Sequence, residues 1–564
     1  MTGADAGCGS GAGAEAPPSH GPLRPAHDPT STDVDNPSAD ADDRSAKPRR
    51  DGRRGDPYGT FAAGNLLQSP VTEGPADEGP APAREPSNAE AAKRPQRALA
   101  PDLLRGLLML LMALDHTSIS LHIWSHGTGR TSESDGIVVR HFNFPTAYVI
   151  RTLSHLCGAG FTFLLGMGVV YLGRSRKKLG WSTGRLVRYF AVRAAVLTLV
   201  STVFGFVLTA GKVWFLNMVL FSLAVNYFLA GLLWLLFNKT ETLLTETLLS
   251  GAKRGVGVTE EEDVEQPLLT QRGYDSTSIS NTLAASVSWH FHNAMLLAMS
   301  IVTILWNIWL SENHGHCLST PLMAQSSVGA QTIPQNPLLR IWFWPVMGLR
   351  VLSGFPPLAW LSFATLGLLY GRISVSKAWN PRTFAACHAF AAVLFATVFV
   401  LTRLLRWGNL SEGCLRTDAQ QSHPGSNPYL VSATSFFYLV KYPPDVAFWS
   451  FTMAGNLGLL AFFGALPVRF ASRLTLLLDL GTAALFFYIL HILVIFALGM
   501  ALVARFGHDT GIADPMDPGN TRGIDSLLVY FAFWAAAILL LWPLCRAYSR
   551  FKSRQSSDSI WRFF

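Results

Sequence analysis

The strongest constraint on the fold of this chain is a series of long apolar blocks separated by polar loops. Of the 564 residues, 49% are hydrophobic and only 15% are charged, whereas a soluble globular protein carries nearer a quarter charged residues. A helix needs roughly 20 consecutive apolar residues to cross the hydrocarbon layer of a membrane. The pattern therefore predicts an all-α protein, a polytopic integral membrane bundle of helices.

Hydropathy predicts about ten transmembrane helices. They lie at 103–124, 147–172, 186–210, 213–237, 286–310, 341–370, 383–406, 443–466, 480–504 and 526–547. The sixth contains the run Ser353-Gly354-Phe355-Pro356-Pro357 near its middle. Glycine and proline free backbone groups that must find partners inside a membrane or face a wet cavity. We therefore expect the sixth helix to be broken.

Polar segments flank and interrupt the apolar blocks. Residues 1–98 are rich in Gly, Ala, Pro, Asp, Ser and Arg, a composition that buries too little apolar surface to fold and predicts a disordered tail. A transmembrane domain then covers 99–550, with a disordered loop inserted at 239–285. Residues 551–564 form a basic tail.

Basic residues concentrate in alternate loops, which predicts the orientation in the membrane. They lie in the second-to-third, sixth-to-seventh and eighth-to-ninth connections and at the C-terminus, for example Arg174, Arg372, Arg469 and Arg550. Cytoplasmic loops carry the excess of Lys and Arg, so both termini should be cytoplasmic. The net charge of +8 follows from these loops, and no nucleic-acid-binding signature accompanies it. We expect a multi-pass protein of the plasma membrane, the vacuole or another endomembrane.

Two of the six cysteines fall in loops on the opposite side. Cys317 lies in the fifth-to-sixth loop and Cys414 in the seventh-to-eighth loop. Both would face an oxidising compartment, where disulfides form and persist. We predict a disulfide between them, with two unpaired thiols as the alternative.

An arginine and an Asp-His pair stand in the first apolar block. It reads Arg105-Gly-Leu-Leu-Met-Leu-Leu-Met-Ala-Leu-Asp115-His116. Ionisable groups in hydrocarbon are costly and usually line a cavity, a proton path or a reaction site. Eleven residues make about three helical turns, which places Arg105 and His116 on one face of the helix.

Histidines recur in and beside the apolar blocks. His155 and His491 lie within transmembrane blocks, and His126 and His141 lie in the loop after the first one. A histidine can act as a general base or as a nucleophile that accepts an acyl group. It can also form only an interhelical hydrogen bond, or serve proton-coupled transport. His116, His155 and His491 do not stand in close pairs of the HxH or HxxxH kind, so no metal site is expected.

Five segments, in chain order, resemble the heparan-α-glucosaminide N-acetyltransferase-like membrane family, and most closely its microbial-type members. They are Arg105 to His116, His155 to Gly168, Trp360 to Arg372, Lys441-Tyr-Pro-Pro444 and Phe486-Phe-Tyr-Ile-Leu-His491. The chain departs from the family pattern at Gly158-Ala159-Gly160, where a proline is frequent, and at Asp445, which replaces a serine. The resemblance implies a polytopic fold and acetyl transfer from cytoplasmic acetyl-CoA to an acceptor across the membrane.

A histidine takes part in that transfer in the lysosomal enzyme of the family. There it lies in the loop after the first transmembrane helix, and Asn-Tyr stands where this chain has Asp115-His116. The resemblance therefore leaves the role open between His116, His126 and His141.

The residues and the resemblance together predict a transmembrane N- or O-acetyltransferase with acetyl-CoA as co-substrate. The acceptor would be an amino sugar or another glycan. We expect His116 to be the base or acyl acceptor, Asp115 to orient it, and His155 and His491 to lie behind it. Arg105 and Lys441 are the candidate phosphate-binding residues. The expected partners are the lipid bilayer and the acyl-CoA donor, and a homodimer is left open. The alternatives are a proton-coupled small-molecule transporter and a membrane scaffold.

Overall fold

A computed structural model describes residues 99–209, 211–217, 219–255, 270–317, 336–348, 350–512, 519–555, 559 and 561. The N-terminal tail predicted at 1–98 lies outside the described residues. Of the tail predicted at 551–564, residues 556–558, 560 and 562–564 also lie outside the described residues, and its first residues continue the last helix to Arg554.

Helices make up most of the described chain. We label eleven of them α1 Ala100–Leu121, α2 Pro145–Lys178, α3 Thr183–Leu208, α4 Leu220–Gly255, α5 Thr270–Leu310, α6 Leu361–Ser374, α7 Pro381–Leu404, α8 Val446–Ala465, α9 Thr475–Thr482, α10 Ala484–Phe506 and α11 Leu527–Arg554. Nine of these, all but α6 and α9, are long and apolar enough to cross a membrane. The described residues therefore form an all-α membrane bundle, as the sequence predicts.

Short elements complete the described fold. The short helices are Pro337–Arg340, Asp418–Ser422, Ala433–Phe437 and Val468–Ala471, and the 3-10 turns are Pro357–Trp360 and Glu412–Cys414. The strands are β1 Phe215–Asn217, β2 Val346–Met347, β3 Val351–Ser353, β4 His508–Asp509 and β5 Arg522–Gly523.

The segment predicted as the sixth transmembrane helix is helical only in its second half. Its first half contains β2 and β3, and a 3-10 turn then leads into α6. β3 pairs in parallel with β1, with Phe215 opposite Val351, and β2 pairs antiparallel with β3. The Gly-Pro run ends β3. Because β3 is not helical, its backbone N–H and C=O groups need partners from another segment, and β1 provides them.

The loop predicted to be disordered at 239–285 is largely helical. α4 continues to Gly255 and α5 begins at Thr270, so only 256–269 lies outside the described residues. Tertiary contacts hold these polar helix ends together: Arg372 donates to Glu241 over 2.8 Å and to Asn293 over 2.8 Å. Composition alone does not reveal such partners from a distant part of the chain.

Helix α1 lies at the centre of the bundle. It runs antiparallel to α2, because Asp115 faces Arg151 while Leu108 faces Cys157. It runs parallel to α10, because His116 and Ser120 meet His491 and Ile495 respectively. These contacts position the ionisable groups of α1 inside the protein.

Helices α2 and α6 run parallel at very close range. Their direction follows from two contacts, Gly158 with Trp360 before α6 and Tyr171 with Ser374 at its end. A Cβ atom on Gly166 would lie 2.1 Å from the Ala364 carbonyl oxygen, and one on Gly367 would lie 2.0 Å from that of Phe163. Small residues of this kind let helix backbones approach each other inside a membrane.

The loops gather at two ends of the bundle. At one end, which we call the disulfide side, Cys317 and Cys414 are bonded with their Cα atoms 5.3 Å apart. These are the two cysteines that the sequence analysis paired. The loop after α1 joins them, since Val139 donates its backbone N–H to Cys414. The opposite end, the basic side, carries Arg174, Arg188, Arg372, Arg382, Arg469 and Arg550. That the basic side faces the cytoplasm stays a prediction.

Candidate functional site

A cavity of about 620 Å³ passes between the helices at the centre of the bundle. Its walls come from α1, α2, α3, α4 and α10 together with β1 and β3. Arg105, Thr482 and Lys552 line its end toward the basic side, and His126 and Lys441 line its end toward the disulfide side. Cavities that join apolar walls to a few polar groups are the usual location of ligand sites.

His116 lines this cavity and forms a hydrogen-bonded pair with His491. Their Nδ1 and Nε2 atoms are 2.9 Å apart, and the two rings stack with centroids separated by 5.2 Å. His491 is fully buried, and its Nδ1 lies 3.0 Å from the carbonyl oxygen of Phe487. The parallel packing of α1 on α10 thus brings together two histidines that are 375 residues apart in sequence.

The hydrogen bonds assign the protons of this pair. A carbonyl oxygen can only accept, so His491 carries its proton on Nδ1 and its Nε2 is an acceptor. His116 must then donate from Nδ1, which leaves the lone pair on its Nε2. A second group that fixes the tautomer of a histidine in this way also orients the ring. His116 is therefore arranged to accept a proton or to attack an electrophile through Nε2.

Asp115 does not orient His116, which corrects the sequence-based expectation. Its Oδ2 accepts from Nη1 of Arg151 over 2.9 Å, and within the described residues no hydrogen bond joins its carboxylate to His116. Successive residues on a helix point about 100° apart, so the carboxylate and the imidazole take different partners. The orienting group is His491.

Arg151 stands between two carboxylates. Besides Asp115, its Nη2 contacts Oε2 of Glu133 over 2.6 Å, and its Nε donates to both Glu133 oxygens. Glu133 lies in the loop after α1 and is fully buried. Burial is the largest single influence and opposes its ionisation, but the charge and hydrogen bonds of Arg151, together with the charges of His155 and Lys441, lower the pKa of Glu133 to about 2. The arginine and the two carboxylates thus form one buried group whose charges sum to −1.

His126 is bound to the same arginine. Nη1 of Arg151 lies 2.8 Å from Nε2 of His126, and a guanidinium can only donate. Burial and then the positive charge of Arg151 lower the pKa of His126 to about 3. His126 lines the cavity as a neutral ring whose Nε2 lone pair is already engaged, which makes it a weaker candidate base than His116.

The other predicted histidines do not line the cavity. His155 is buried behind Arg151, with Nδ1 3.1 Å from the Arg151 carbonyl oxygen and Nε2 3.5 Å from Glu133. His141 is exposed on the disulfide side, in a separate shallow surface depression with Arg130 and Arg140. The expectation that His141 takes part in the site is corrected, because the loop turns its side chain outward.

The two candidate phosphate-binding residues line opposite ends of the cavity. Arg105 is paired with Asp102 over 2.9 Å and its side chain is 26% exposed. Lys441 is buried near the rings of Phe355 and Tyr442. Lys441 lies at the end of the cavity beyond Asp115, and Arg105 is ten residues before Asp115 on α1, a rise of about 15 Å. A single phosphate group therefore cannot contact both.

Sequence reasoning did not single out several residues that line or support the cavity. Glu133 stands in a polar loop and gives no sequence signal. Arg193 and Tyr227 lie in transmembrane helices and line the cavity, as does Lys552. The cost of a charge in hydrocarbon, which drew attention to Asp115, applies equally to Arg193 and would have identified it.

Comparison with models of known protein families gives no match for this chain. Comparison with curated proteins gives no match either. Among the described residues, no group of three or more His, Cys, Asp or Glu side chains is placed to hold a metal ion. The function is therefore inferred from the chemistry of the cavity.

Proposed function

We propose that this protein is a multi-pass membrane acetyltransferase in which His116 is the base or the acyl acceptor. The observation that carries the proposal is the His116–His491 pair, whose tautomers leave the Nε2 lone pair of His116 at the wall of a cavity lined from both ends of the bundle. Acetyl-CoA would be the donor and a hydroxyl or amine, such as that of an amino sugar or another glycan, the acceptor.

Two routes suit this geometry. In the first, the acceptor O–H or N–H attacks the thioester carbonyl carbon, Nε2 of His116 takes the proton, and the proton passes to the departing thiolate. In the second, Nε2 itself attacks the thioester carbon and the thiolate leaves. The acceptor O–H or N–H then attacks the acetyl carbon, the C–N bond to Nε2 breaks and returns the lone pair to Nε2, and the proton of the acceptor goes to the thiolate. Both routes need His116 neutral with Nδ1 held by an acceptor, and His491 supplies that acceptor.

Basic residues at one end of the cavity fit the phosphates of the donor. Arg105 and Lys552 line that end, and guanidinium and ammonium groups are the usual partners of phosphate. Lys441 lies at the other end, so the phosphate role falls to Arg105 and Lys552. The donor would then enter from the basic side and the acceptor from the disulfide side.

We also propose membership of the heparan-α-glucosaminide N-acetyltransferase-like family. In support, the five resembling segments converge in space. Arg105, His116, Gly158, Lys441 and Tyr488 all line the cavity. Trp360 lies against Gly158, where an added Cβ would be 3.1 Å from its ring.

The topology that accompanies this proposal has ten crossings, the sixth made by β3, the 3-10 turn and α6. The parallel course of α6 beside α2 supports a crossing in that direction. The positive-inside rule assigns the basic side, with both termini, to the cytoplasm. The membrane would be the plasma membrane or an endomembrane such as that of the vacuole.

Proton-coupled transport is the second candidate. The extended strands β1 and β3 line the cavity, and transporters bind substrates beside such interruptions of their helices. Asp115 and Glu133 are buried and are also residue types that carry protons.

Acetyl transfer by purified protein tests the proposal. Wild type in lipid nanodiscs is incubated with radiolabelled acetyl-CoA and a panel of amino sugars and glycans. We expect transfer by wild type and at least a 100-fold loss in His116→Ala, the usual contribution of a general base. His388→Ala is the matched control, because His388 is a buried histidine of α7 that contacts Tyr370 and does not line the cavity.

Absence of both acetyl-CoA binding and transfer by wild type would contradict the acetyltransferase proposal. Proton-driven solute uptake into proteoliposomes in the same preparation would then favour the transporter.

A further inference from the structure

Arg193 is a charged residue within transmembrane helix α3 that the proposed chemistry does not use. It is ten residues from the start of α3, a rise of about 15 Å. Its guanidinium lies over the ring of Tyr227 at 4.7 Å, and both residues line the cavity. Within the described part of the chain, neither its Nε nor the Tyr227 hydroxyl forms a hydrogen bond of standard geometry, although both atoms are buried. The phenol groups of Tyr227 and Tyr189 lie beside the guanidinium, and both are neutral.

The positive charge of Arg193 has no carboxylate partner among the described residues. Asp115 and Glu133, the buried acids of the neighbouring group, are engaged with Arg151. Ionisable residues in hydrocarbon are normally paired, and an unpaired buried charge is strongly destabilising. The ring of Tyr227 compensates only part of this, so an anionic group from outside the protein is the natural partner.

The cavity walls that α2, α3 and α4 contribute are largely apolar. They include Leu164, Leu165, Leu172, Leu197, Leu220 and Leu223. Gly168 lies on the same wall, and a Cβ added to it would meet no atom within 4 Å, which shows open space there. A single cation among leucines suits a ligand that combines one anionic group with an apolar chain.

This part of the cavity lies between two helices that do not pack on each other. α3 packs against α4 and β1 but forms no comparable interface with α2, although α2 precedes it in the chain. The outer face of α3 exposes Leu199, Val203 and Val207, as a lipid-facing helix does. A chain dissolved in the bilayer can therefore reach the cavity between α2 and α3.

We propose that Arg193 and Tyr227 bind the phosphate or carboxylate of an anionic amphiphile whose chain lies along the leucines of α2, α3 and α4. The gap between α2 and α3 favours a bilayer lipid as this amphiphile. The phosphate next to the pantetheine arm of an acyl donor is the other source of the same chemistry. The site does not depend on acetyl transfer, since none of its residues belongs to the histidine pair.

Native mass spectrometry of the full chain in a neutral detergent tests this site with lysophosphatidate as the probe. Monoacylglycerol, a lipid with the same chain but no phosphate, is the ligand control. We expect lysophosphatidate to bind wild type and Arg193→Gln to weaken it about ten- to hundredfold, the usual effect of losing a charged hydrogen bond. Arg188→Gln, an exposed arginine of the same helix, should bind like wild type.

Tyr227→Phe is a milder variant that keeps the ring and should weaken binding less than Arg193→Gln. It keeps the test informative if Arg193→Gln does not fold. Equal binding of the two lipids, or full binding by both Arg193→Gln and Tyr227→Phe, would overturn the proposal.

Competition with CoA separates the two sources. Lysophosphatidate that stays bound in excess CoA supports the lipid source, whereas displacement by CoA, together with loss of CoA binding in Arg193→Gln, overturns it. His116→Ala should bind lysophosphatidate normally, so a failure of acetyl transfer would leave this result unchanged.

Discussion

At the scale of residues, one hydrogen bond from His491 to a backbone carbonyl decides which nitrogen of His116 keeps a lone pair. The cost of histidines in hydrocarbon was enough to select both from the sequence. Their pairing was not predictable, because it depends on α1 and α10 lying side by side. Glu133 was not predictable either, since a lone acid in a polar loop resembles any solvated residue.

The buried pair of Glu133 and Arg151 predicts an acid-sensitive protein. The pKa of Glu133 falls from 4.5 to about 2 in the fold, so its contribution to stability is present above pH 4.5 and is lost as the pH falls toward 2. The pKa of His126 falls from 6.5 to about 3, so it lowers stability over that range in the same direction. The thermal unfolding midpoint in detergent should therefore decrease steadily below pH 6.5.

Glu133→Gln isolates the contribution of the carboxylate. Glu133→Gln breaks a buried ion pair and takes the charged acceptor from Nε and Nη2 of Arg151, so we expect a loss of about 3 kcal/mol at neutral pH. Below pH 4.5, the thermal unfolding midpoint of this variant should decrease less steeply with falling pH than that of the wild type. Glu412→Gln, which removes the partly exposed partner of Arg406, is the control and should cost less than about 1 kcal/mol. Equal effects of the two changes would contradict the role assigned to Glu133.

At the scale of elements, the apolar blocks predicted nine of the long helices, and the Gly-Pro run predicted that the sixth would be broken. The predicted ends lie within seven residues of the observed ones, except that α4 ends 18 residues later and α5 begins 16 residues earlier than predicted. The strands that replace the first half of the sixth were missed, because β1 and β3 are short and pair across more than a hundred residues. The helical extensions of α4 to Gly255 and of α5 from Thr270 were missed because their polar composition is typical of a disordered loop.

The close approach of α2 and α6 predicts a position-specific effect of a single methyl group. Gly367→Ala would force a Cβ to within 2.0 Å of the Phe163 carbonyl oxygen, so the helices must separate. Strain of this kind typically costs 1–3 kcal/mol, and the thermal unfolding midpoint should fall by several degrees. Gly168→Ala on α2 meets no atom within 4 Å and is the matched control. A wild-type midpoint in Gly367→Ala would show that the helices are not this close.

At the scale of the whole molecule, one cavity reaches toward both ends of the bundle. The loops were assigned to two sides from their charges alone, and the structure gathers them in those two groups. The cavity itself had no sequence signal, because its walls come from seven separate segments of the chain. In the proposed reaction, this position would let a donor reach His116 from one side and an acceptor from the other.

The most direct test of the account measures acetyl transfer for His491→Gln and His491→Leu, each with His116 present and with His116→Ala. Glutamine offers an acceptor in place of Nε2, and leucine offers none. With His116 present, we predict a loss of about tenfold or more for His491→Leu and near wild-type transfer for His491→Gln. In the His116→Ala background neither change should matter further, because residues that act as a unit are not additive. Equal losses from His491→Leu in both backgrounds would show that His491 does not act through His116 and would contradict the account.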